Sequence, residues 1–249
     1  MPNSNAGIAA STIETTFPNP AMGGWNETLE NKSAIARVEW AMDHLPGNFV
    51  LSSSFGIQSA VMLHLLTQVK SDIPVLITDT GHLFPETYRF IEQLTERLDL
   101  NLQVYQAKES AAWQVAKYGE EWAASDDSLK AYNRRNKVEP LERGLTELEA
   151  STWFSGVRRQ QSAHREGLGV VSTLRGRYKV HPIINWTNKD VHEYLTKHNL
   201  PYHPLWDEGY VSVGDVHSTL PLTLGMTEEE TRFGGGNREC GLHTDGDGI

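Results

Sequence analysis

Phe49-Val50-Leu51-Ser52-Ser53-Ser54-Phe55-Gly56-Ile57-Gln58-Ser59-Ala60-Val61-Met62-Leu63-His64-Leu65-Leu66 is the stretch on which the fold turns. Its first three residues are a short apolar run that reads as a strand, and Ser52 to Gly56 read as a turn. Val61, Met62, Leu65, Leu66 and Val69 then recur at helical spacing, which predicts a helix over Gln58 to Val69. The same grammar repeats downstream. Pro74 to Ile77 predicts a second strand followed by a helix from about Pro85 to Leu98; Leu102 to Tyr105 predicts a third, with Ser110 placed to cap the next helix. Strands alternating with helices at this rhythm imply an α/β fold: an open, mostly parallel twisted sheet flanked by helices.

Outward from this centre, Ile35, Val38 and Met42 mark a helix face between Lys32 and Leu45, and residues 126–149 read as helical. Trp153 to Val157 and Val170-Val171 read as later strands, and Asn188 to His198 as an amphipathic helix capped by Asn185 or Thr187. Residues 1–25 are polar and carry Pro18, Pro20 and Gly23-Gly24, so a flexible leader is expected there, with the α/β domain over 26–226. From Pro201 the chain turns irregular. Residues 227–249 form a Gly-rich segment, expected to be a mobile tail, that holds the only cysteine, Cys240.

Composition narrows the function classes. Of 249 residues, 39% are hydrophobic and 22% charged, which suits one α/β domain with a full core. Net charge is −10, against a general nucleic-acid binder, whose affinity rests on Lys and Arg neutralising phosphates. Apolar runs such as residues 61–66 fall far short of the roughly 20 residues of a membrane span. No secretory signal is visible, and with no cysteine pair the cytoplasm is the expected compartment. A single cysteine excludes, within one chain, a disulfide, a Cys-x-x-Cys zinc site and a four-cysteine iron–sulfur cluster. No metal is expected.

Several residues carry chemistry. Backbone N–H groups of the turn Ser54 to Ser59, with the following helix N-terminus, can form an anion pocket. Gly56 permits close approach, and the Ser54 and Ser59 hydroxyls can donate further bonds. By itself the same turn reads equally as an ordinary capped helix start. Asp79-Thr80-Gly81 ends the second strand at the edge where ligands bind in open α/β sheets, and also reads as a simple strand-ending turn. Lys137 sits beside Arg134 and Arg135 on what reads, taken alone, as a solvated helix face. Arg158, Arg159 and Arg165 suit bidentate contact with phosphate or sulfate oxygens, with an ion-pair network to Glu166 as the competing reading. Cys240 lies in a polar tail between Arg238 and His243, cationic neighbours that favour its thiolate.

Ser54-Phe55-Gly56-Ile57-Gln58-Ser59 resembles the PP-loop of the ATP-pyrophosphatase and adenine nucleotide alpha-hydrolase-like group, usually Ser-Gly-Gly-x-Asp-Ser. Phe55 stands in place of the first Gly and Gln58 in place of the Asp, which removes the carboxylate that Mg²⁺-assisted ATP cleavage would favour. Five further stretches resemble the phosphoadenylyl-sulfate (PAPS) reductase family: Thr78-Asp79-Thr80-Gly81-His82, Lys137-Val138-Glu139-Pro140-Leu141, residues 156–162 with Arg165, residues 210–215, and Glu239-Cys240-Gly241-Leu242-His243. The resemblance runs from Phe49 to His243. It implies that the Cys240 thiolate attacks the sulfur of PAPS, displacing adenosine 3′,5′-bisphosphate and leaving an S-sulfocysteine from which thioredoxin releases sulfite. His243 and the arginines would stabilise developing charge, and Arg158, Arg165, Arg232 and Arg238 are candidates for the 3′-phosphate. The tail would close over nucleotide and open toward thioredoxin, with Gly234-Gly235-Gly236 as hinge. In the sister branch, which reduces adenylyl sulfate (APS), cysteines holding a four-iron cluster occupy the places of Tyr132-Asn133, Asp215 and Ser218, so no cluster is expected here. The family also implies a homodimer. Alternatives are a cluster-free APS reductase, a PP-loop ATP pyrophosphatase and a non-enzymatic nucleotide-binding regulator.

Overall fold

The computed structural model describes residues 19–162, 165–228 and 230–232. Six strands form one sheet in the order β3-β2-β1-β4-β6-β5: β1 Phe49–Ser52, β2 Pro74–Asp79, β3 Asn101–Gln106, β4 Thr152–Ser155, β5 Val171–Leu174 and β6 Arg177–Val180. All neighbours pair in parallel except β5 and β6, an antiparallel hairpin that closes one edge. The open, mostly parallel sheet expected from the sequence is therefore present. Strand order runs from β1 out to β3, then returns to the other side of β1 with β4, so the crevice between β1 and β4 is the switch point where such sheets bind ligands.

Side chains alternate across the sheet as a period of two requires. Val50, Leu76, Trp153 and Leu174 face one way and pack with Leu141 and Leu145 of α8 (Glu139–Glu147). Leu51, Val75, Ile77 and Phe154 face the other way, in one cluster with Val38, Leu63, Phe90 and Leu195. Those four belong to α2 (Ala34–His44), α3 (Ala60–Val69), α4 (Pro85–Leu98) and α9 (Asn188–Lys197). Both faces are covered, which is why the strands read as continuous apolar runs.

The boundaries shift in instructive places. The helix expected from Gln58 begins at Ala60, because Ile57 to Ser59 form a turn. Instead of a leader through residue 25, α1 (Met22–Glu30) starts at Met22; its Leu29 is buried and its Trp25 meets Trp40 edge-on at 5.5 Å. Arg37, 1% exposed, holds that helix in place. Its guanidinium donates to Leu29 O and Glu30 O, carbonyls of the last turn of α1, and to Pro182 O and Asn185 Oδ1 in the loop after β6. Thr187, one of the two expected caps, starts α9 through a capping box with Asp190. The helical stretch 126–149 resolves into α7 (Asp126–Asn133), a π-helical turn Arg134–Val138, and α8. Between β3 and α7 lie α5 (Ala111–Tyr118) and α6 (Glu121–Ala124).

Candidate active site

At the carboxyl end of β1 the chain leaves the sheet through Ser53 to Ser59. Phe55 takes a left-handed φ of 48°, unusual for a bulky residue, and its ring is fully buried in the core. Ser53 Oγ accepts from Phe55 N at 3.1 Å, fixing the turn. Gly56 is wedged but not sealed: a Cβ there would lie 3.5 Å from Ser54 Oγ and 3.8 Å from Val213 O. Ser59 opens the helix in αR geometry without capping it, and its buried Oγ has no hydrogen-bond partner. A buried hydroxyl without a partner at the start of a helix, in the crevice of a parallel sheet, is free to donate to an anion. Ser54 is exposed above it.

One strand over, Asp79 ends β2. Its Oδ1 accepts from Gly81 N at 2.8 Å and Tyr88 OH at 2.7 Å, and its Oδ2 from Gln106 Nε2 at 2.6 Å. Burial and that carboxylate push the Tyr88 phenol above its ordinary range, so it stays a donor. Gly81 has a φ of +73°, and a Cβ on it would come within 2.9 Å of the Ala111 side chain, so no other residue fits this turn.

Thr80 leads inward to a buried polar cluster. Its Oγ1 donates to Asp215 Oδ1 at 2.6 Å, while Lys137 Nζ lies 2.7 Å and Tyr132 OH 3.2 Å from Asp215 Oδ2. Asp215 is 1% exposed. Burial alone would raise its pKa, but the Lys137 charge and the hydrogen bonds from Lys137 and Thr80 outweigh that and hold the carboxyl below the usual carboxylate range. His217 Nε2 sits 3.2 Å from Tyr132 OH, and its ring stacks on Trp122 at 4.1 Å. Burial lowers the His217 pKa to about 4, so the ring is neutral. Lys137 reaches this cluster because the π-turn adds a residue to the helical repeat and rotates it inward; Arg134 stays exposed, and Arg135 pairs with Glu121 and lies over the Tyr118 ring at 3.9 Å.

The arginines after β4 are held by protein groups. Arg158, 5% exposed, donates to Gln58 Oε1 at 2.8 Å and Asn188 Oδ1 at 2.9 Å, tying the phosphate-type loop to the start of α9. Arg159 forms a two-pronged pair with Glu30 at 2.6 and 2.9 Å, so its carboxylate partner comes from α1. Arg165 donates to Gln161 Oε1 at 2.6 Å. Arg232 donates to Ser212 Oγ at 3.3 Å, and a Cβ on Gly214 would collide with its guanidinium. Arg238, Cys240 and His243 lie outside the described residues.

Residues 212–219 thus form a strap across the carboxyl edge of the sheet. Val213 packs with Ile57 of the loop, Asp215 bridges to Leu83, and Val216 N donates to His82 O. The strap brings together Gly56, Thr80, Lys137 and Arg232, while Arg159 points away to α1. Asp215 and Tyr132 were missed as site residues. The signal for Asp215 was its lone acid in the run Val211-Ser212-Val213-Gly214-Asp215-Val216.

Comparison with known proteins now decides the family. The family model described as the phosphoadenosine phosphosulfate reductase domain matches residues 48–221. The chain belongs to that family. A phosphoadenosine 5′-phosphosulfate reductase of Shewanella oneidensis is 62% identical over 218 residues, 88% of this chain and 89% of that protein. One from Escherichia coli is 59% identical over 223 residues, 90% of this chain and 91% of the relative. Among solved structures, phosphoadenylyl-sulfate reductase of Candida auris, in complex with phosphate, superposes with a TM-score of 0.72 at 30% identity, over 82% of this chain and 98% of that one. An FMN adenylyltransferase of Candida glabrata shares the fold alone, at a TM-score of 0.56 and 20% identity over 78% of this chain and 68% of that one. Among the described residues no group of His, Cys, Asp and Glu is placed to hold a metal ion, and no helix is long and apolar enough to cross a membrane.

Proposed function

We propose that this chain reduces 3′-phosphoadenylyl sulfate to sulfite and adenosine 3′,5′-bisphosphate, with reduced thioredoxin as electron donor, in cytoplasmic sulfate assimilation. The Cys240 thiolate attacks the sulfonyl sulfur. A sulfur–sulfur bond forms, the sulfur–oxygen bond to the phosphate breaks, and the nucleotide leaves with the bridging oxygen. A thioredoxin thiolate then attacks Cys240 Sγ and expels sulfite. The second thioredoxin thiol resolves the mixed disulfide, so two electrons pass from the dithiol to sulfur and Cys240 returns as thiolate. No metal or cluster takes part.

One observation carries this reading: Arg232, at the base of the tail, lies beside the strap that meets the turn after β1. Arg232 is fixed against Gly214, whose neighbour Val213 stands over Gly56. Cys240 follows eight residues later, and eight residues reach at most about 29 Å. The unpartnered Ser59 hydroxyl, Gly56 and Ser54 would hold a phosphate-like group, Asp79 and Thr80 would line the nucleoside side, and His243 with Arg232 and Arg238 would meet the leaving charge. Gln58 supports reduction over ATP cleavage. It occupies the carboxylate position of PP-loop ATPases and accepts a bond from the Arg158 guanidinium, an arrangement that offers Mg²⁺ no anion. A homodimer remains part of the proposal on family grounds.

The test is mass spectrometry of the protein after exposure to PAPS without thioredoxin. A single sulfonate on Cys240 is expected, absent from Cys240→Ser, which should keep its nucleotide affinity. Thioredoxin-dependent sulfite release by Cys240→Ser, or an unmodified wild-type thiol, would sink the mechanism. The same assay with APS separates the two sulfonucleotides.

A further inference from the structure

We propose that Asp215 is a positioning residue of the reaction: paired with Lys137, it pins the strap from which the tail springs to the exit of β2, and thereby sets the tail's origin against the phosphate-type loop. The inference rests on the functional reading above and goes beyond it, since the partners of the Asp215 carboxylate are Thr80, Tyr132 and Lys137, outside the Ser54 to Ser59 turn.

Four segments meet at this one carboxylate. Thr80 comes from the end of β2, Tyr132 from α7, Lys137 from the π-turn, and the strap supplies Asp215 itself. The neighbours of Asp215 extend the lattice. On one side, Gly214 N donates to Thr219 Oγ1 and Gly214 packs under Arg232; on the other, Val216 N donates to His82 O. The π-turn is locked from behind by a reciprocal amide pair, Gln114 Nε2 to Asn136 Oδ1 at 2.8 Å and Asn136 Nδ2 to Gln114 Oε1 at 2.9 Å, in which both residues are buried. Lys137 therefore has little freedom to follow a strap that slips.

A buried ion pair is a poor device for stability, because desolvation of both charges offsets most of their attraction, and apolar residues of similar size often do as well. What it adds is direction: the carboxylate must present one oxygen to Thr80 and the other to Lys137 and Tyr132, and only one placement of the strap satisfies all three. Near the tail origin such registration matters, since a displacement of about 1 Å can slow a positioned reaction on the order of 100-fold.

The experiment compares wild type, Asp215→Asn, and the double variant Lys137→Met with Asp215→Asn. It reads thermal midpoint, affinity for adenosine 3′,5′-bisphosphate by calorimetry, and the single-turnover rate of sulfonate transfer from PAPS to Cys240 by quenched mass spectrometry. Asp215→Asn leaves the Lys137 charge buried and unbalanced, so its midpoint falls; the double variant removes both charges and recovers most of that loss. Transfer stays slower on the order of 100-fold in both variants, while nucleotide affinity moves by less than about 5-fold, as a loss confined to the reacting geometry requires. Recovery of the rate together with the midpoint in the double variant would reduce the pair to a structural element and overturn the inference, as would a wild-type rate in folded Asp215→Asn. If wild type itself forms no adduct, the functional reading fails first and this one falls with it.

Discussion

Two stretches at the carboxyl edge of the sheet looked alike as anion sites: the Ser- and Gly-bearing turn after β1 and the arginine-rich turn after β4. Their surroundings differ. The first turn keeps a buried hydroxyl without a partner at Ser59 and a glycine at which an added Cβ would meet Ser54 Oγ and Val213 O at no less than 3.5 Å. In the second, Arg158 is bound to Gln58 and Asn188 and Arg159 to Glu30. A guanidinium bonded to protein acceptors must exchange those bonds to take a ligand, whereas an unpartnered hydroxyl gains a bond outright. In an acidic chain, then, the positive residues of a sequence cluster are partly absorbed by the fold, and the weaker-looking neutral turn is the better prepared candidate.

The sharpest way to break this contrast is Arg158→Ala. It takes the donor from half-buried Gln58 and exposed Asn188 and empties the volume of a buried side chain, so a loss of about 2 kcal/mol of stability is expected in chemical denaturation. A loss below about 0.5 kcal/mol would return Arg158 to the pool of ligand-ready cations. Ser59→Ala is the mirror experiment. With no protein partner to lose, the variant should keep its thermal midpoint, yet bind adenosine 3′,5′-bisphosphate about 10-fold more weakly by calorimetry, one hydrogen bond to a charged group. Unchanged affinity would take the hydroxyl out of the site.

Acid gives the smallest of the three effects and samples the loop's support. His203 N donates to Ile57 O, and its ring accepts from Leu205 N at Nδ1 while Nε2 meets Thr87 Oγ1. A second proton on Nδ1 would face the Leu205 N–H, and burial holds the pKa down to about 4. His217 is likewise lowered by burial to about 4. The unfolded chain takes up these protons near pH 6.5 and the folded chain only near 4. Between those values the unfolded state binds more protons, so stability falls as pH drops through this window and is unaffected by these groups above it. His203→Gln should make the decline of the thermal midpoint from pH 6.5 to 4 shallower than in wild type. An equal slope in the two proteins would mean that this ring does not set the acid response.

Much of this is legible in the sequence. Residues 49–66 announce strand, turn and helix because apolar periodicity is local, and the rhythm of such units predicts a parallel sheet with its site at the carboxyl edge. The hairpin strand Arg177–Val180 escaped because it carries Lys179, which the fold buries at 2% exposure with its ammonium 4.1 Å from the Trp153 ring, while lysine normally marks a surface. The leader boundary was misplaced because α1 draws its hold from Arg37 and Arg159, neither of them within it. Lys137 read as surface because a regular helix was assumed where a π-turn stands.

By itself the sequence determined the sheet, the anion-type turn and the solitary thiol, since each depends on residues adjacent along the chain or on a bare count. Only the tertiary structure decided which polar groups are already partnered: Glu30 with Arg159, Gln58 with Arg158, Asp215 with Lys137. Those partners lie 129, 100 and 78 positions apart. Pairing between groups that distant is set by the fold that carries them together, because electrostatic and hydrogen-bonding preference is short-ranged in space and blind to separation along the chain.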